Sequence, residues 1–141
     1  MQGKIDVQKL SSYFNNIVKL IYKYEIMSLF KIEFLSFIIT MNEFTGLQNA
    51  GAKRNLVSRF LLNLHYYFLS NYQDFLYINE VINILENNNY IVLDGDKISV
   101  INQFDLIDNK YFSYSSELEE TIKEIKNMTV ESFKEEVVNN V

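Results

Sequence analysis

Apolar side chains return every three or four positions between Asp6 and about Tyr24, at Leu10, Tyr13, Phe14, Ile17, Val18, Leu20, Ile21 and Tyr24. That period puts them on one face of an amphipathic helix, and Asp6 stands where a side-chain oxygen accepts the open N–H groups of a helix start. After a break at "YEIMS", a second helix is expected from about Leu29 to Asn42, capped by Ser28 and apolar nearly all round, as suits a central helix. The two glycines of "TGLQNAGAKRN" mark a loop. A third helix follows from about Asn55 to Ser70, burying Val57, Phe60, Leu61, Leu64, Tyr67 and Phe68. A fourth runs from about Leu76 to Asn88 and buries Ile78, Val81, Ile82 and Leu85. It ends in three asparagines, a residue that tolerates left-handed backbone.

The pattern then changes to alternation. In "YIVLDGDKISVI" two β-rich runs flank a hairpin turn at Asp94-Gly95 or Gly95-Asp96. Either turn leaves the parity unchanged, so Ile91, Leu93, Ile98 and Val100 share the face that meets the helices. A polar connector rich in aromatics, among them Phe104, Tyr111, Phe112 and Tyr114, leads to Ser116 and Glu119, spaced as a capping box for a helix with Leu118, Ile122 and Ile125 inward. The last helix starts at Thr129, with Met128 and Phe133 as a hydrophobic staple and Val137, Val138 and Val141 extending its apolar side.

Three helices followed by a hairpin is the order of a winged helix. The expected fold is mainly α: one winged-helix-like domain over residues 1–141, with its core and β-hairpin wing in 28–103, an added N-terminal helix in 1–27 and two C-terminal helices in 104–141. A helical bundle with an incidental hairpin is the alternative.

Composition narrows the function classes. There is no cysteine, so neither disulfides nor thiolate metal sites arise, and a cytoplasmic location is expected. The N-terminal stretch is polar, unlike a signal peptide, and the most apolar run, "LFKIEFLSFIITM", is interrupted by Lys31 and Glu33 and falls short of the roughly 18–20 residues of a membrane span. His65 is the only histidine and lacks companions for a zinc site; a structural histidine, partly buried beside Tyr66 and Tyr67, is expected. No nucleophile stands with a base, and no phosphate loop occurs. The carboxylates Glu119, Glu120 and Glu124 alternate with Lys123, Lys126 and Lys134 at helical spacing, as solvated ion pairs do. A non-enzymatic protein without cofactor is therefore expected.

Charge decides how the wing is read. Net charge is −5, divided as +4 over residues 1–60 (eight basic, four acidic) and −9 over 61–141 (five basic, fourteen acidic). A winged helix that grips DNA needs cations against phosphates, yet the expected recognition helix carries Glu80 and Glu86 among Asn79, Asn83 and Asn87, and the wing carries Asp94 and Asp96 against Lys97 alone. This is the wrong sign for nucleic acid and suits a protein-binding platform, with Asn79, Glu80, Asn83, Glu86, Asp94, Asp96, Tyr111 and Phe112 as candidate contacts. The one basic cluster, Lys53, Arg54 and Arg59, extended by Lys19, Lys23 and Lys31, is a candidate contact for phosphate or an acidic partner.

The segments "YKYEIMSLFKIEFLSFI", "INEVINILENNNYIVLDGDKISV" and "LEETIKEIKNMTVESFKEEVVNNV" together resemble the small middle component of bacterial ABC three-component systems, the group that includes Lamassu-type anti-phage complexes. The resemblance rests on length, helix order and a wing followed by a helical tail. It implies a non-catalytic adaptor subunit that binds an SMC-like ATPase and an effector, often a nuclease, held inactive until phage DNA ends are sensed. DNA would then be met only through the complex, and no motif residue is carried over as a site. A DNA-binding transcriptional regulator using the 53–59 cluster, and a phage-encoded inhibitor of a host defence protein, are the alternative readings.

Overall fold

The first helix forms where its period predicts. In the structure, a computed structural model describing residues 6–46, 55–104 and 113–141, α1 spans Val7–Tyr22, and the Asp6 carboxylate accepts the Lys9 N–H at 3.1 Å. Its inward residues Tyr13, Ile17, Leu20 and Ile21 are fully buried. The chain leaves α1 through Glu25, whose φ of +56° is the one left-handed residue in the break. α2 spans Leu29–Thr45 and is buried on nearly all sides, as its continuous apolar pattern requires; it ends at Gly46, where φ of +68° suits a residue without a Cβ.

The expected third helix is two. α3 (Leu56–Phe60) and α4 (Leu64–Asn71) are separated by a turn closed by the Leu62 N–H on the Arg59 carbonyl and the Leu64 N–H on the Leu61 carbonyl, both of the tighter i→i+3 kind. Neither glycine nor proline marks that break, so the sequence conceals it. The predicted inward residues Val57, Phe60, Leu61, Leu64 and Tyr67 are nevertheless buried. A 3-10 turn, Tyr72–Asp74, leads into α5 (Phe75–Asn87), which buries Ile78, Val81, Ile82 and Leu85. α5 stops in a Schellman motif: Asn89 takes φ of +63°, and the Tyr90 and Asn89 N–H groups reach the Leu85 and Glu86 carbonyls.

β1 (Ile91–Asp94) and β2 (Lys97–Val100) pair antiparallel with Ile91 opposite Val100 and Asp94 opposite Lys97. The turn is thus Gly95-Asp96, with the positive φ at Gly95 that a II′ turn requires. Ile91 and Ile98 are buried and Leu93 and Val100 half-buried, so the expected face packs on the helices while Val92 and Ser99 face out. β2 also pairs along its other edge: Ser28 bridges to Lys97, and the Ile98 N–H donates to the Met27 carbonyl at 2.9 Å. Residues 27–28 thereby tie the start of α2 to the free edge of the two-stranded hairpin.

α1, α2 and α5 pack against one another, and α1, expected as an addition before the winged-helix core, lies at its centre. The result is a helical domain with one β-hairpin wing. α6 (Ser116–Asn127) lies against α3 and α2, and α7 (Val130–Asn140) against α2 and α4. The expected capping box does not form: Ser115 is the cap, accepting the Leu118 N–H at 3.2 Å, and Glu119 instead accepts the Tyr24 hydroxyl at 2.6 Å. Thr129 caps α7 as predicted, with Phe133 and Val137 buried, but Val138 and Val141 are exposed. Among the described residues, no helix is long and apolar enough to cross a membrane.

Candidate functional site

The wing is locked to the start of α2 by an accounting of backbone donors. The first N–H groups of a helix have no partner within it. Here the Leu29 N–H donates to the Asp96 carbonyl at 2.8 Å, the Phe30 N–H to the Asp96 carboxylate at 2.8 Å, and the Lys31 N–H to Ser28 Oγ at 3.3 Å. The Ser28 hydroxyl in turn donates to Asp96 at 2.5 Å. Asp96, a candidate protein contact in the sequence, is therefore the acid that completes the N-terminus of α2, where the helix dipole favours a negative charge. Asp94 is exposed and stands opposite Lys97 in the ladder. Asp96 is nonetheless exposed, so both acids of the hairpin tip face solvent.

α5 keeps its outward acid. Asn79, Glu80 and Asn83 are exposed and, three and four positions apart about Asn83, share one helical face; Glu86 is half-buried. This helix is held from beneath. Asp74, buried at its start, accepts the Tyr13 hydroxyl at 2.8 Å and the Lys9 ammonium at 3.0 Å, and Tyr77 stacks on Tyr13 while its hydroxyl accepts the Asp6 N–H. Burial, with the Asp74 charge behind it, pushes the Tyr13 hydroxyl far above the ordinary tyrosine range. Tyr111 and Phe112, the remaining candidate contacts, lie outside the described residues, as do Lys53 and Arg54.

Most of the described cations make contacts within the molecule. Lys31, buried in α2, donates to the Met128 and Lys126 carbonyls, the open C-terminal end of α6; burial lowers its pKa, against the opposing pull of Asp96. Lys19 lies 4.2 Å from the centre of the Tyr114 ring, with its pKa likewise lowered by burial. Lys23 sits over Tyr24, Lys134 over Phe30, and Lys126 pairs with Glu25 at 3.4 Å. The ion pairs expected along α6 and α7 thus run between elements. Arg59 pairs with Glu117 at 2.6 Å, both side chains partly open to solvent.

His65 is exposed, contrary to the expectation that it is partly buried, because it falls on the outer side of α4. Among the described residues, no group of three or more histidines and carboxylates is placed to hold a metal. Tyr24 and Tyr114 stack, and the Tyr114 hydroxyl donates to Asn16 Oδ1 at 2.6 Å, so these aromatics serve packing. Phe104 packs in the same manner among Phe14, Tyr22 and Tyr90.

Glu33 is the strained charge. Half-buried in α2, it has its pKa raised by desolvation and then by repulsion from Asp96. A raised folded pKa means stability present below the unfolded value and lost as pH rises through the folded one. Glu33→Gln should therefore melt higher than the parent at pH 7, the two converging at about pH 4, where the parent carboxyl is also largely neutral. Thermal unfolding at the two pH values measures this.

Sequence reasoning did not single out Leu62, Tyr66, Leu69, Tyr72 and Leu76, which are exposed. Their stretch is nearly free of charge. Comparison with protein-family models, curated proteins and solved structures finds no match for this chain.

Proposed function

We propose that this chain is a non-catalytic adaptor subunit of a multi-protein complex, binding an SMC-like ABC ATPase and an effector in the manner of the anti-phage systems that its sequence resembles. The observation that carries the interaction reading is electrostatic. Lys9, Lys19, Lys23, Lys31, Arg59, Lys126 and Lys134 are engaged within the fold, whereas Glu80 stands exposed on the helix that would enter a DNA groove. Phosphate binding needs cations that are available to release counterions, and an acid on the approach helix opposes it.

The α5 face of Asn79, Glu80 and Asn83 is the partner contact in this reading. Glu80→Lys should weaken copurification with the partner ATPase and effector that this reading requires, with unfolding midpoints within about 0.5 kcal/mol of the parent because the site is exposed. Unchanged copurification overturns the α5 contact. Tight binding of the isolated chain to duplex DNA, falling steeply with salt, overturns the adaptor reading in favour of a DNA-binding regulator.

A further inference from the structure

α6 and α7 are attached to the rest of the domain in different ways. α6 is tied by side-chain bonds: Glu117 to Arg59, Glu119 to the Tyr24 hydroxyl, and the Lys126 and Met128 carbonyls to the buried Lys31 ammonium. α7 begins just past that pin, after an extended residue at Met128. Among the described residues, no hydrogen bond or ion pair joins an α7 side chain to another element, and the Asn140 amide bonds within the helix, to the Glu136 carbonyl. Of its 11 residues, those buried are Phe133 and Val137, one turn apart. Phe133 stands edge-on to Phe30 at 5.8 Å, and the Lys134 ammonium lies 5.4 Å from the centre of the same ring. Phe30 in turn begins an aromatic row that is built without α7: Phe34 lies 4.9 Å from it, Phe75 5.3 Å from Phe34, and Phe37 and Phe68 against Phe75. α7 rests on α2 and α4, two of the elements that carry these rings. A helix of this length is marginal on its own in water, and an element with few buried contacts opens ahead of the whole.

We infer that α7 is a displaceable cover, and that the surface of α2 and α4 beneath it receives in its place an amphipathic helix of a partner protein, with an aromatic residue followed four positions later by a branched aliphatic one. The chemistry of that occupant is given by the segment seated there. Phe133 and Val137 show the two anchors the surface takes, and Lys134 shows that a cation next to the aromatic anchor finds the face of Phe30. An apolar helix face laid into an apolar groove is a general mode of recognition. While α7 is docked it excludes the partner, so the apparent affinity falls by the fraction of chains whose groove is open. The contact is separate from the α5 face of Asn79, Glu80 and Asn83 and is tested on the chain alone, so failure of either leaves the other standing.

Fluorescence anisotropy with a labelled peptide of residues 128–141, titrated with the full chain and with its Phe133→Ser variant, tests it. The variant loses the anchor that seats its own α7, so the expected result is saturable binding of the peptide to the variant and at least about 10-fold weaker binding to the parent, whose α7 fills the groove. A peptide carrying Phe133→Ser should bind neither chain. Circular dichroism confirms that the variant is folded, and Val137→Ser serves if it is not; a chain that unfolds with either change overturns the inference, because α7 then belongs to the core. Equal binding to parent and variant, or none to a folded variant, overturns it as well. Sedimentation that finds parent dimers lost in the variant assigns the exchange to the α7 of a second copy and rejects the partner helix.

Discussion

Lys9→Met is expected to cost about 3–5 kcal/mol, because it strands the Asp74 carboxylate where water does not reach it. Asp74 is 4% exposed, and its partners are the Lys9 ammonium on one oxygen and the Tyr13 hydroxyl on the other. Methionine keeps the length and apolar stem of lysine, so the loss isolates the charge from the packing. Removing the acid as well should restore most of the stability: in the double variant with Asp74→Asn, no buried charge remains, and the amide oxygen still accepts the Tyr13 hydroxyl. Denaturant unfolding of the two single variants and the double variant gives the coupling directly. A Lys9→Met chain as stable as the parent would show that Asp74 finds its solvation elsewhere. The position matters for function because Asp74 stands at the first turn of α5, so the proposed contact face is only as fixed as this junction.

Periodicity foretold the elements because it records burial directly. Most of the residues assigned inward on α1, α5 and the hairpin are buried, with Leu10, Phe14, Tyr24, Leu93 and Val100 half-buried, and the caps at Asp6, Ser28 and Thr129 were legible because a cap bonds its own next turn. Contacts between distant residues were not legible. Lys9 and Asp74 are 65 positions apart, and Lys31 and Met128 are 97 apart. The sequence shows a charge and its sign, but the surface role assigned to Lys31 fails once its ammonium closes α6. A hint existed, since a cation in a helix apolar all round must find acceptors inside the protein. Asp96 was obscured differently. A hairpin turn already explains an aspartate next to glycine, so nothing in the local pattern signalled that its carboxylate caps a helix 66 residues earlier. Of the candidate contacts, Asn79, Glu80 and Asn83 stand on one exposed face, and Asp96 is exposed while also bonded to Ser28 and Phe30.

Asp96→Ala should therefore lower stability by about 2 kcal/mol, whereas Asp94→Ala, two residues away, should change it by less than about 0.5 kcal/mol. The loss has a definite origin. The Phe30 N–H would lose its charged acceptor, and the Ser28 hydroxyl, which caps the Lys31 N–H, would lose the partner that orients it. One effect opposes the loss, since removing Asp96 relieves Glu33 of a like charge; another adds to it, since Lys31 loses an attractive one. Asp96→Asn keeps an oxygen for Phe30 but not the charge that suits a helix N-terminus, and should fall between the two. Hydrogen exchange separates this from a general loosening: the Phe30 and Ile98 amides should lose protection in Asp96→Ala before those of the α1–α5 interface do. Equal stability of the Asp94 and Asp96 variants would contradict the capping role. If it holds, loss of a partner from an Asp96 variant has to be read against that variant's lowered stability, whereas Glu80→Lys tests the proposed α5 contact without touching a cap.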